Sequence, residues 1–363
     1  MSLRSKILSR IRAFLHLNAR SASDYDRKPV KYPDMIPINE AAEQGHITAQ
    51  FNLALMYLSG HKGTGIAQDD TKAVAWFLKA AEQGHVQAQF DLGMLYDEGR
   101  GTAKDDAQSA FWYQKAAEQG HTIAQANLGL MYAHGQGIAQ NDAQAVFWFR
   151  KAATQGNADA QCNLGYMYDT GRGVTQNTAK AINWYRKAAE QGIVKAQTNI
   201  AAMYALGSGI PKDDVQAAFW YQKAAEQGDA HAQCILGTRY AKGNGVPQND
   251  AQAVFWHQKA AEQGEPNAQC NIAARYSDGY GLPKDDDKAI FWYQKAAEQG
   301  KAIGQYYLGT LYEEGRGTAK DDAQAAFWYQ KAAEQGFTEA QNALDAMYKN
   351  GRVAKNDAGD LVI

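Results

Sequence analysis

The strongest constraint on this chain is a recurrence. A glycine closing the stretch AAEQG, or a near variant of it, returns at Gly84, Gly120, Gly156, Gly192, Gly228, Gly264, Gly300 and Gly336, always 36 residues apart. All eight tryptophans, from Trp76 to Trp328, stand eight residues before one of these glycines. Eight copies of one short unit cannot each bury a core alone, so neighbouring copies must supply it to one another. The length of 363 residues therefore carries no information about domain count.

Each unit reads as helix, loop, helix. In KDDAQAAFWYQKAAEQG, residues 320 to 336, Asp321 or Asp322 caps the start and Gln324 sits where a capping box places Glu or Gln. Ala325, Trp328, Tyr329 and Ala332 share one helical face, and Gly336 is placed for the left-handed conformation that ends a helix. This is helix B. Helix A follows the glycine, as in HTIAQANLGLMYAHGQG at residues 121 to 137. There Ala124, Leu128, Met131 and Tyr132 form one stripe, with Gly129 at its edge permitting close approach of another backbone. About eighteen short helices are expected over the whole chain by this pattern.

The ends depart from the pattern. Residues 1–33 form a basic segment and linker, 34–350 the repeat array, and 351–363 a tail. Pro37 opens a shortened leading helix B that ends at Gly45, and the first full repeat has three extra loop residues between Gly60 and Gly65. The array closes on a lone helix A at 337–349.

Net charge is −2, which argues against a generally basic nucleic-acid binder. Residues 1–31 nevertheless hold eight Lys or Arg against two Asp. Within 4–17, Ile7, Leu8, Ile11, Phe14 and Leu15 form an apolar face flanked by Lys6, Arg10 and Arg12. Such a face suits weak contact with an anionic membrane surface, and equally a cap over the first repeat or a disordered tail. Arg10 and Arg12 interrupt any signal-peptide core, and no apolar run is long enough to span a bilayer, so the expected location is the cytoplasm.

Motifs for chemistry are missing. Gly-x-Gly loops before helix B resemble phosphate cradles, but Asp105 and Asp106, or their equivalents, follow at the helix start and oppose an anion. The paired aspartates read as caps. His46, His85 and His121 are spread one per repeat and do not gather around a metal. There is no nucleophile elbow, zinc helix or Walker loop. No enzyme activity, cofactor, metal or nucleic-acid partner is expected.

The units resemble a known family, the SEL-1-like repeat of bacterial type, within the tetratricopeptide-like superfamily. Its pattern is met by Ala160, Leu164, Gly165, Tyr168, Gly171, Gly173, Ala181, Trp184, Tyr185, Lys187, Ala188, Ala189 and Gly192, with Asn177 at the Asp position. The resemblance covers roughly residues 40 to 350. It implies an all-α, right-handed superhelical solenoid of about eight repeats that binds other proteins in a concave groove, with no catalytic residues. Cys162, Cys234 and Cys270 recur at one position of helix A. Packed helices lie about 8 to 10 Å apart, beyond the roughly 7 Å Cα limit for a disulfide. That usage fits a reducing compartment and differs from the cysteine-rich secreted branch of the family.

The repeats differ most on the face of helix A centred on positions 126, 130 and 133, where the resemblance places the groove. Early repeats carry an apolar track of Phe51, Leu55, Leu58, Phe90, Met94, Leu130 and Tyr166. Later ones carry Thr198, Ala202, Thr238 and Ala274. Arg239 and Arg275 replace the Met or Leu of the other copies and offer a place for a carboxylate. Asn52, Asn127, Asn163, Asn199 and Asn271 stand ready to hydrogen-bond an extended backbone. The competing reading is that the apolar residues are packing and the arginines pair with nearby acids. A scaffold for a protein or peptide is thus expected. The alternatives are a toxin-neutralising, immunity-type inhibitor and, less favoured, a β-lactam-type hydrolase or binder as in the cysteine-rich branch.

Overall fold

The structure is a computed structural model in which residues 38–60, 65–355 and 361–362 are described. The expectations for the basic segment, its linker, Pro37 and membrane contact through 4–17 fall outside these residues. The described residues hold eighteen helices, the number the repeat pattern predicts.

The chain divides into two compact units between Gln140 and Asn141. The first opens with α1 (Ile38–Glu43). Its helix A copies are α2 (Ile47–Ser59), α4 (Val86–Glu98) and α6 (Thr122–His134), and its helix B copies are α3 (Asp70–Glu82) and α5 (Asp106–Glu118). In the second unit helix B copies are α7 (Asp142–Thr154), α9 (Thr178–Glu190), α11 (Asp214–Glu226), α13 (Asp250–Glu262), α15 (Asp286–Glu298) and α17 (Asp322–Ala333). Its helix A copies are α8 (Ala158–Thr170), α10 (Val194–Leu206), α12 (Ala230–Lys242), α14 (Pro266–Asp278), α16 (Ala302–Glu314) and α18 (Thr338–Lys349). The tail adds a two-residue antiparallel pair, Ala354–Lys355 with Leu361–Val362, which no sequence pattern announces.

Local chemistry sets the helix ends. Asp105 Oδ1 accepts from the backbone N–H groups of Ala107 and Gln108, both at 3.0 Å, and Asn249 Oδ1 accepts from Gln252 at 3.0 Å. The aspartates are caps, as expected. Helix B ends in a Schellman arrangement: Gly84, at φ +92°, donates to Ala81 O at 2.9 Å and His85 donates to Ala80 O at 3.0 Å. His85 and His121 are caps too, each accepting through Nδ1 from a backbone N–H at 3.1 Å. The Gly-x-Gly loops serve packing. A Cβ on Gly245 would lie 1.8 Å from Asp214 O, because the loop presses on the start of the preceding helix B.

The core is made where units stack. Trp112 of α5 is buried in one cluster with Leu58 of α2, Phe77 of α3 and Leu92 of α4. In the second unit Trp256 of α13 joins Ala201 of α10, Tyr221 of α11 and Leu236 of α12. The tryptophans therefore fill junctions between repeats. At helix A's small position a ring presses closest: a Cβ on Gly93 would come within 2.8 Å of Tyr113, and one on Gly309 within 2.8 Å of Tyr329 and 3.1 Å of the Ala325 backbone oxygen.

A buried glutamine ladder also crosses the junctions. Gln233 Nε2 donates to Ala225 O at 3.0 Å and its Oε1 accepts from Gln263 at 2.7 Å. Gln269 repeats this with Ala261 and Gln299, and Gln89 does so with Ala81 and Gln119. Each buried amide is thus satisfied by helix B of the preceding copy and helix B of its own, so the Gln of AAEQG recurs as strictly as the Trp.

Candidate partner-binding surface

In the first unit the expected apolar track is largely absorbed by packing. Phe51 is partly buried, stacked on His85 at 4.3 Å and tilted against Phe77 at 5.7 Å. Phe90 stacks on His121 at 4.4 Å and meets Tyr113 at 5.7 Å. Leu55 packs beside Phe51 on the same core. Burial holds the His85 pKa below that of a free histidine. Met94, Asn127 and Leu130 are each partly buried.

The second unit presents more open positions. Tyr166 is 40% exposed with Lys195 over its ring at 5.7 Å, while Asn163 and Asn199 are partly buried. Arg239 and Arg275 require a correction: both are buried, and each is already paired. Arg239 Nη1 donates to Asp214 Oδ1 at 3.2 Å, and Arg275 Nη1 to Asp250 Oδ1 at 3.0 Å and to Tyr280 O at 3.1 Å.

The reason for that pairing lies in the loops. Elsewhere the residue after the helix A glycine is often Arg, clamping the first Asp of the preceding helix B. Arg100 holds Asp70 with two bonds of 2.8 and 2.9 Å, and Arg172 holds Asp142 with bonds of 2.9 and 2.6 Å. Arg316 holds Asp286 and Arg352 holds Asp322. These arginines keep the Asp70, Asp286 and Asp322 carboxyls below the usual carboxylate range. In repeats six and seven the loop residues are Asn244 and Tyr280. There the guanidinium arrives from inside helix A instead. The arginine has moved, and its partner has not.

Around Asn271 the face is open. Between α14 and α16 lies a depression of about 620 Å³ lined by Asn267, Cys270, Asn271, Lys301, Ile303 and Phe337 among others. Between α12 and α14 lies another of about 340 Å³, lined by Cys234, Thr238, Lys242 and Asn244, which shares Asn267 and Asn271 with the first. Asn271 Nδ2 lies 3.3 Å from His257 Nε2 and 3.5 Å from Thr238 Oγ1, and Thr238 Oγ1 lies 3.2 Å from His257 Nε2. Burial lowers the His257 pKa to about 4, so this ring is neutral at pH 7. Burial also pushes the Cys162 and Cys270 thiols up to about 12. Of the groove residues the sequence singled out, Thr238 and Asn271 lie here with the paired Arg239, beside the recurring Cys234 and Cys270; Asn267, Lys242 and Lys301 were missed. The available signal was the change after each repeat glycine, from His85 and His121 to Glu265 and Lys301.

A family model for the Sel1 repeat matches residues 47–85, 86–121, 122–157, 158–193, 194–229, 230–265, 266–301 and 302–337. The chain belongs to the Sel1 repeat family. Its fold class is accordingly an α-solenoid of eight Sel1 repeats. Among solved structures it is similar to c5321, a protective antigen of uropathogenic Escherichia coli strains displaying an SLR fold. Identity there is 41% over 86% of this chain and 67% of that one, with a TM-score of 0.81. It is also similar to a Sel1 repeat protein from Oxalobacter formigenes, at 31% identity over 88% of this chain and 98% of that one, with a TM-score of 0.65. The immunity protein Pa5087 from Pseudomonas aeruginosa matches at 21% identity over 59% of this chain and 81% of that one, with a TM-score of 0.34, too distant to carry an argument about function. No curated protein matches the chain. Sel1 repeats generally mediate protein–protein interaction, and no helix among the described residues is long and apolar enough to cross a membrane.

Proposed function

We propose that this Sel1 repeat chain is a non-enzymatic cytoplasmic scaffold whose array, residues 34–350, holds a protein or peptide on the helix A face. One observation carries the reading. Most recurring residues are consumed by caps, clamps, the glutamine ladder and core, and the recurring helix B phenylalanines, such as Phe219 and Phe255 at 47% and 44% exposure, lie edge-on against Trp220 and Trp256; the non-recurring positions of helix A also leave large apolar groups in solvent. Ile123, Tyr166, Ile303 and Tyr307 are 44%, 40%, 37% and 41% exposed. Exposed apolar groups that differ from copy to copy suit recognition better than stacking. Thiols held near pKa 12, such as Cys162 and Cys270, are poor nucleophiles, which supports the non-enzymatic part. An immunity-type inhibitor would be a special case of the same scaffold.

The test is affinity capture with paired variants. Tyr166→Ala with Ile303→Glu is expected to lose the partner held by the unaltered chain, while Phe219→Ser with Phe255→Ser on helix B keeps it. Loss through the helix B pair alone would move the binding surface off helix A.

A further inference from the structure

We propose that the helix A surface of repeats six to eight is a site for an extended peptide carrying carboxylates, with Lys242 and Lys301 as its cationic ends and Asn267 and Asn271 between them. The inference rests on the scaffold reading and names the chemistry of the partner at that face.

Equivalent positions in the first unit show how the site arises. There Phe90 and His121 stack at 4.4 Å and fill the space between successive helix A copies. In repeat seven the same two positions hold Cys270 and Lys301, and in repeat six Cys234 and Glu265. Both exchanges remove an aromatic pair, and the two depressions of about 620 and 340 Å³ are what remains. The filling resumes one copy later, where Tyr306 meets Phe337 at 5.2 Å. Cys162 with Ile193 and Thr198 with Asp229 lack the pair as well, so it is the lysines beside the depressions, and not the missing rings alone, that distinguish the junctions of α12, α14 and α16.

Charge selects the occupant. Neither Lys242 nor Lys301 forms an ion pair among the described residues, although Lys104, Lys212 and Lys288 all do. His231 also lines the second depression, and Arg239 there is spent on Asp214. The acid beside them is Glu265, which accepts from Asn267 Nδ2 at 2.9 Å and from Ala268 N at 2.6 Å. Two separated ammonium groups with an acid between them suit spaced carboxylates, and would repel part of a continuous polyphosphate. Asn271 has its nitrogen spent on His257 and Thr238, which orients the amide and leaves Oδ1 to accept a backbone N–H. Lys242 stands at the C-terminal end of α12 and Lys301 at the N-terminal end of α16, so about five extended residues, at roughly 3.3 Å each, cover the larger depression from Lys301 to Asn271, and about eight reach Lys242 across the helix spacing and rise.

The test is a nuclear magnetic resonance titration of the full chain with three pentapeptides. These are acetyl-Ala-Glu-Ala-Glu-Ala-amide, its Gln counterpart as the amide, and that Gln peptide with a free C-terminal carboxylate. We expect saturable shifts at Asn267, Asn271 and Lys301 with the Glu peptide, at least tenfold weaker affinity for the Gln amide, and at least tenfold loss in Lys301→Gln. Cys270→Phe, which restores the filling seen at Phe90, is expected to abolish the shifts while keeping the helical spectrum, and Lys223→Gln on helix B is expected to change nothing. Tight binding of the free-carboxylate Gln peptide would identify a chain terminus as the carboxylate source and leave the site assigned. Equal binding of the Glu and Gln amides, with both lost in Cys270→Phe, would overturn the acidic assignment and leave the helix A reading standing. No saturable shift with any peptide, or an unchanged affinity in Lys301→Gln, would overturn the site; shifts confined to helix B would overturn both.

Discussion

Repeats two and seven share a backbone plan and most of their residues, yet one is closed and the other open. Phe90 with His121 closes the first; Cys270 with Lys301 leaves a depression in the second. The invariant parts do not notice the exchange: Gln89 and Gln269 make the same ladder bonds, and Asp105 and Asp285 cap in the same way. The lesson is that a stacked repeat separates two duties. Junction residues hold the array, and the outer positions of helix A can be emptied or filled without disturbing it.

The relocated arginine should give the largest effect in breaking that comparison. Arg100 of repeat two is partly exposed where it clamps Asp70, whereas Arg275 is buried where it clamps Asp250. Asp250→Ala leaves the buried Arg275 with only Tyr280 O to accept from it, and because Asp250 is itself 44% exposed and screened the loss is about 2 kcal/mol, while Asp70→Ala costs about 1 kcal/mol. Urea unfolding midpoints check the ranking. Adding Arg275→Met, the residue found at this position as Met131, Met167 and Met203, should recover most of the loss.

A pH series sharpens it further. Repeat two has Tyr113 where repeat six has His257, whose folded pKa is about 4 because it is buried. Between pH 4 and 6.5 the unfolded chain binds a proton that the folded ring refuses, so stability falls with falling pH across this window. By pH 5 the loss is about 2 kcal/mol. His257→Tyr should remove this component of the melting profile; Tyr329 shows the fit, donating to Thr310 Oγ1 at 3.2 Å as His257 meets Thr238.

The smallest expected effect compares the filling residues themselves. Phe90 is partly buried, so Phe90→Ala should cost about 1.5 kcal/mol, about half of a fully buried truncation. Cys270→Ala, which removes one sulfur beside an existing depression, should cost less than about 1 kcal/mol. Thermal melts of both variants measure the difference.

Much of this fold was legible because its signals are local. The period, the caps at Asp105 and Asn249 and the terminating glycines each follow from a few neighbouring residues. The glutamine ladder and the clamps were not, because Gln263 meets Gln233 only when the two helices of a copy pack, and Arg275 meets Asp250 only after the copies stack. For the same reason the sequence offered Arg239 and Arg275 both as a carboxylate site and as partners of nearby acids, and only the stacked copies decide for the second. The depressions were harder still, since Cys270 marks a site by the ring it lacks.

Hydrogen exchange of the full chain, with and without a captured partner, tests the central claim most directly. Slowed exchange in α12, α14 and α16, with the helix B segments around Phe219, Phe255 and Phe291 unchanged, is the predicted result. Protection centred on those phenylalanines, with helix A unaffected, would contradict it.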